Sequence, residues 1–184
     1  MKTLRCFLTL NLSLIFFSGC SAVWTAGEVP FVPTPLEVVD RMLELAELKK
    51  GDVVYDLGSG DGRIVIRAAK KYGARGVGVE IDGDLIQRSR SKAREEGVKD
   101  LVEFREQDAL KVDVSPATVV TLYMLPEFNE KLRPILWKQL KPGSRVVSHD
   151  FTIEGWTPIK VEKIRGGLLH DHTIFLWKIE GESK

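Results

Sequence analysis

Val53-Val54-Tyr55-Asp56-Leu57-Gly58-Ser59-Gly60-Asp61-Gly62-Arg63 is the stretch that decides how this chain folds. Val53 to Leu57 is a short apolar run of strand length, and it empties into a loop in which glycine recurs at 58, 60 and 62. Glycine lets a backbone turn sharply out of a strand and lets a ligand lie against it without meeting a side chain. The loop is G-x-G-x-G. A dinucleotide fingerprint would need glycine at position 63, where Arg63 stands, and no lysine–hydroxyl pair follows to make a phosphate-cradling loop. The loop itself also carries no base that would neutralise a phosphate.

Outward from that loop, strands and helices alternate. Ile64 to Tyr72 reads as a helix and Gly76 to Ile81 as a second strand; Asp82 caps a helix with Leu85, Ile86, Ser89 and Ala93 on one face. Leu101 to Arg105 and Ala117 to Leu122 are further strands. Glu127 to Leu140 is a helix in which Pro134 marks a kink or a late start, and Arg145 to His149 is a fifth strand. Upstream, Thr34 as N-cap, Pro35 at the first helical position and Glu37 form a capping-box pattern before Leu36, Val39, Leu43 and Ala46, with Gly51 as the stop. Such alternation implies parallel strands joined by crossover helices, a doubly wound α/β sheet. Ile159 to Ile164 and Thr173 to Ile179 break the pattern and read as a terminal hairpin.

Two acids accompany the glycine loop. Glu80, in Gly78-Val79-Glu80-Ile81-Asp82, falls at the carboxyl end of the neighbouring strand, where a carboxylate accepts both hydroxyls of a ribose. Asp108, in Glu106-Gln107-Asp108-Ala109, follows the third strand and is placed to face an exocyclic adenine amine. With Asp56 these acceptors along one sheet edge suit adenosine joined to a cationic group that carries no phosphate.

The set Asp56-Leu57-Gly58-Ser59-Gly60-Asp61-Gly62, Gly78-Val79-Glu80 and Gln107-Asp108 resembles the class I S-adenosylmethionine-dependent methyltransferases. The resemblance implies a Rossmann-like, doubly wound α/β sheet of seven strands in the order 3-2-1-4-5-7-6, with strand 7 antiparallel. It implies S-adenosyl-L-methionine as cofactor, held by Asp56, Gly58, Ser59, Gly60, Gly62, Glu80 and Asp108. Val32-Pro33-Thr34-Pro35, Thr121-Leu122-Tyr123-Met124-Leu125-Pro126 and the segment Leu140 to Phe151 narrow the likeness to membrane-anchored protein-lysine methyltransferases of mitochondria and their bacterial relatives. That likeness implies a protein substrate with a target lysine, in a soluble or a membrane-embedded protein. It makes Tyr123 the candidate lining of the acceptor pocket, with Asp150 and His149 as further candidates at the end of strand five. A small-molecule or lipid acceptor, or a binding module without turnover, stays open.

Composition bounds the rest. The chain has 184 residues, 43% of them hydrophobic and 29% charged, with a net charge of +1, which suits one globular domain and gives no electrostatic sign of a nucleic-acid partner. The two cysteines exclude a disulfide scaffold or zinc ribbon. No metal site is expected: His170 and His172 alternate like a ligand pair, but a solvated hairpin loop accounts for them. Lys2 and Arg5 precede an apolar run from Cys6 to Phe17 that is shorter than a membrane span, and Phe17-Ser18-Gly19-Cys20 resembles a lipobox. Residues 1–20 therefore read as a lipoprotein signal peptide or an uncleaved membrane anchor, with a cytosolic product from a later start as the remaining alternative. Residues 21–32 read as a tether and 33–184 as the catalytic domain, held at the membrane in the cell envelope.

Overall fold

The computed structural model describes residues 31–165 and 171–181. Its elements are α1 (Leu36–Leu45), β1 (Val53–Leu57), α2 (Arg63–Tyr72), β2 (Arg75–Glu80), α3 (Gly83–Glu95), β3 (Val102–Glu106), β4 (Val119–Leu122), α4 (Pro126–Gln139), β5 (Arg145–His149), β6 (Lys160–Ile164) and β7 (His172–Lys178). They form a seven-stranded sheet in the order β3-β2-β1-β4-β5-β7-β6. β1 to β5 run parallel, while β7 pairs antiparallel with both β5 and β6. The expected doubly wound order is therefore the observed one.

Strand residues alternate between two buried layers, as a period of two requires. Val54, Val119, Val147 and Ile174 pack beneath α1 and α2, where Val38, Val39, Met42 and Val65 meet them. Tyr55, Leu57, Val120, Leu122, Val146 and Trp177 pack on the opposite face with Leu132 and Leu136 of α4. By the same alternation Asp56 and Thr121 lie on the α1–α2 face, paired in register across β1 and β4. Strand order reverses between β1 and β4, and in open α/β sheets such a switch point opens a crevice at the strands' carboxyl ends.

Three local expectations change. Asp82 does cap α3, its side chain accepting from the Asp84 and Leu85 N–H groups. Thr34, however, does not cap α1: the helix starts one residue later, after an extended Pro35, with no side-chain cap. The Thr34 hydroxyl is instead drawn 3.2 Å from His149 Nδ1, a partner 115 residues away. α1 also ends at Leu45, well before Gly51. In α4, Pro126 occupies the first turn and Pro134 sits inside the helix, so Pro134 is not a late start. Residues 1–30, on which the expectation of a signal or anchor segment falls, lie outside the described residues, as does His170. Among the described residues no helix is long and apolar enough to cross a membrane.

Candidate active site

A cleft of about 860 Å³ lies at the switch point. Its floor is the β1 end and glycine loop, with Asp56, Gly58 and Ser59; one wall is Glu80, Ile81, Asp82 and Asp108; the other is Tyr123, Met124, Phe128 and Phe151; and Phe31 to Thr34 form its roof.

The glycine loop is pinned beneath its neighbour strand. Gly58 and Ser59 N–H both donate to Val79 O at 2.9 Å, and Gly60 N–H donates to Glu80 Oε2 at 2.9 Å. Glu80 Oε1 accepts from Ile81 N–H at 2.8 Å. A carboxylate oxygen accepts more than one hydrogen bond, so Glu80 both shapes the loop and keeps acceptor capacity toward the cleft. Gly58 and Gly60 have φ of 81° and 53°, in the left-handed region. A Cβ on Gly58 would lie 2.6 Å from Met124 Sδ, and one on Gly60 would enter the Phe31 ring. A substitution at either position is strained by the backbone alone, and a Cβ there would also displace Met124 or Phe31.

Asp56 is the unusual group. It is 3% exposed and accepts from Thr121 Oγ1 at 2.7 Å. Burial raises its pKa to about 7; the Thr121 hydrogen bond opposes that rise, and the charges of Glu80 and Asp61 add to it. The adjacent cation is engaged elsewhere: Arg63 binds Asp61 through Nε and Nη2 at 2.8 Å each and Thr34 O through Nη1 at 2.8 Å. Lys92 also reaches Asp61, at 3.1 Å. Asp108, on the far wall, accepts from Leu110 N–H at 2.9 Å and pairs with Lys111 at 3.2 Å; these contacts hold its carboxyl below the usual range against the opposing effect of burial. Ser59 Oγ is buried with no hydrogen-bond partner among the described residues.

Tyr123 follows β4 directly, its ring centroid 4.0 Å from His149 and 5.9 Å from Phe151. Burial first, then the charge of Asp150, raises its pKa, so the phenol stays protonated at neutral pH and can donate a hydrogen bond.

Of the residues singled out in the sequence, Asp56, Gly58, Ser59, Glu80, Asp108 and Tyr123 line the cleft together. Gly60 lies beneath Phe31, and Gly62 packs on Phe104 and Ser89. Asp150 turns behind Tyr123 toward His149 and His172, at 3.2 and 3.5 Å. His172 is not solvated: as the first residue of β7 it faces inward, 7% exposed. Thr121, which anchors Asp56, and Phe151, which extends the aromatic wall, fall within the quoted motifs, but the motifs assigned neither a role in the site. The parallel register of β1 and β4 is what brings Thr121 to Asp56.

A buried acid with no cation beside it, facing a crevice whose nearest guanidinium is already taken, suits a positively charged ligand. The glycine floor leaves the space such a ligand needs, and on this sheet order the combination defines a class I S-adenosylmethionine-dependent methyltransferase, with S-adenosyl-L-methionine as its cofactor. Residues 56–160 match the family model described as the ANTKMT methyltransferase domain, and the chain belongs to that family.

It is 48% identical over 157 residues to a protein-lysine N-methyltransferase of Saccharolobus islandicus (strain REY15A), covering 85% of this chain and 96% of that one. It is 34% identical over 150 residues to the adenine nucleotide translocase lysine N-methyltransferase of Mus musculus, covering 81% of this chain and 65% of that one, a little under two thirds of its length. A solved structure described as an RNA methyltransferase from Salinibacter ruber, in complex with S-adenosyl-L-homocysteine, superposes with a TM-score of 0.78. It shares 57% identity and covers 83% of this chain and 97% of that one.

Proposed function

We propose that this chain transfers the methyl group of S-adenosylmethionine to the side-chain amine of lysine in a protein substrate. The observation that carries the reading is the pairing of an acidic donor pocket with an aromatic mouth of Tyr123, Phe128 and Phe151. Those apolar surfaces suit the aliphatic stem of a lysine, and the family relatives named as lysine methyltransferases support the choice of acceptor.

Glu80 would hold the ribose hydroxyls and Asp108 would meet the adenine edge, while Ile81, 73% exposed at the rim, would cover the ring. Asp56, ionised once a cation lies beside it, balances the positive charge of the methionine portion together with the Gly58–Gly60 loop. Bound S-adenosylmethionine supplies an electrophilic methyl group on a sulfonium. The protein has to orient the incoming amine, strip it of water and receive it unprotonated. A free lysine, with a pKa of about 10.4, is almost wholly charged at neutral pH, and desolvation between Tyr123, Met124 and Phe151 lowers that value. The Tyr123 hydroxyl oxygen accepts from an amine N–H, which fixes the amine's direction and leaves its lone pair free for the methyl group. The apolar run from Cys6 to Phe17, flanked by Lys2 and Arg5, supports a membrane-held domain and hence a membrane-embedded target.

The Salinibacter description favours a second acceptor, RNA. Against it stand a net charge of +1 and a cleft lining whose basic residue, Arg63, is paired with Asp61. Incubating the full chain with radiolabelled donor and either membrane-protein or RNA fractions, followed by protease or nuclease digestion, separates the two. Label released as methyl-lysine is the expected result; label lost to nuclease alone overturns the lysine reading.

A further inference from the structure

The chain has three histidines, His149, His170 and His172, all within its last quarter. The structure buries two of them against each other. His149, at the end of β5, is fully buried, and its Nε2 lies 2.9 Å from Nδ1 of His172, at the start of β7. Asp150 Oδ2 completes a triangle, 3.2 Å from His149 Nε2 and 3.5 Å from His172 Nδ1.

A tetrahedral cation bound at roughly 2.0–2.1 Å sets its ligand atoms about 3.3–3.4 Å apart. Observed separations of 2.9, 3.2 and 3.5 Å bracket that spacing, so a single ion reaches all three atoms with shifts of tenths of an ångström. Two of the three ligands, His149 and Asp150, are also held from behind. His149 Nδ1 lies 3.2 Å from Thr34 Oγ1; with its proton there, the Nε2 lone pair faces the triangle, the outer-shell arrangement typical of metal-bound histidine. Asp150 adopts a φ of 57°, unfavourable for a residue with a Cβ, and is kept there by Thr173 N–H donating to Oδ1 at 2.8 Å and by its own N–H donating to Thr173 O at 2.7 Å. That strain aims the second carboxylate oxygen at the two imidazoles.

We propose that His149 Nε2, His172 Nδ1 and Asp150 Oδ2 bind one divalent transition-metal ion, with Zn²⁺ best suited to two imidazoles and a carboxylate. The ion is a brace rather than a reactant. It ties the end of β5 to the start of β7 directly behind the Tyr123 ring, which rests on His149, and it touches neither the glycine loop nor Glu80. The site is independent of which acceptor the enzyme methylates.

The test uses the full chain without a histidine tag, stripped with a chelator and titrated with Zn²⁺ and, separately, Co²⁺. Elemental analysis is expected to find one Zn²⁺ per chain, with a rise in melting temperature. The Co²⁺ form is expected to show a visible absorption band of a tetrahedral nitrogen–oxygen site. X-ray absorption at the zinc edge of the unmutated protein reads imidazole ligation without relying on any variant. His172→Gln and Asp150→Asn abolish the stoichiometric ion, and Thr34→Ala weakens its binding by about 10–100-fold while leaving the ligands in place. Replacing Cys6 and Cys20 with serine leaves the stoichiometry unchanged. The proposal is overturned if the unmutated chain retains no stoichiometric metal, if the metal survives His172→Gln, or if it follows the cysteines.

Discussion

Asp52 and Asp56 sit at opposite ends of β1, four residues apart, and are equally hidden, at 4% and 3% exposure. Their chemistry differs completely. Asp52 accepts from Thr118 Oγ1 at 2.7 Å, from Lys49 N–H at 2.9 Å and from the Arg145 guanidinium, which also reaches Ala46 O. Burial pushes its pKa up, but those donors together hold it below the usual carboxylate range. Asp56 has Thr121 and two neighbouring acids, and it rises to about 7. Burying a charge is costly unless it is paired and hydrogen-bonded. The amino-end acid has its partners within the chain and serves the fold. The carboxyl-end acid has no such counter-charge among the described residues, and in the function proposed above a ligand supplies it.

Breaking the satisfied end has the larger effect on stability. Asp52→Ala strands Arg145 and is expected to lower unfolding stability by about 3–5 kcal/mol, while the folded fraction still binds donor with unchanged affinity. Denaturant melts and calorimetric titration check the two halves; a fall in donor affinity would dissolve the distinction. At the other end, Glu80→Ala removes the loop's acceptor and, with it, the proposed ribose contact, and donor binding is expected to weaken by about 100-fold, the equivalent of one or two charge-assisted hydrogen bonds. Measured alongside, its melting temperature should move far less than that of Asp52→Ala.

The sharpest probe is pH. The folded protein holds the Asp56 proton up to about pH 7, whereas the unfolded chain releases it near the ordinary aspartate value of 3.8. Between those values the native state binds more protons, so stability falls as pH rises across the window and is flat above it. Relative to Asp56→Asn, the unliganded native chain is therefore expected to lose on the order of 2–4 kcal/mol between about pH 4.5 and pH 8. Donor affinity should move the other way if the ionised form balances the charge of the donor's methionine portion, as proposed: it is expected to rise by up to about tenfold from pH 6 to pH 8. Asp56→Asn should bind weakly and without that slope. A slope that persists in the variant would assign the titration to another group.

The sheet's alternation was legible because local signals agree with it. Gly58, Gly60 and Gly62 stand where the backbone turns, and Asp82 caps the helix it precedes. The strand order itself came from family resemblance, since periodicity does not say which strand lies beside which. Local reading failed where a distant partner won. Thr34 has every mark of an N-cap, yet His149, 115 positions on, takes its hydroxyl. His172 sits among polar residues in the sequence, and its pairing with Ile164, its place on the inner face and its contact with His149 bury it. Thr121 looks like an ordinary strand threonine until β4 is laid against β1.

The strand that follows β6 in the chain does not extend the sheet outward but slips back between β6 and β5. During synthesis β5 therefore leaves the ribosome with a bare edge, and Val147 waits for Ile174 and Leu176 to cover it. An unpaired hydrophobic edge of this kind invites aggregation or chaperone capture. The unfinished sheet thus keeps that edge exposed until its closing strand docks, and the same docking brings His172 to His149 behind the Tyr123 ring.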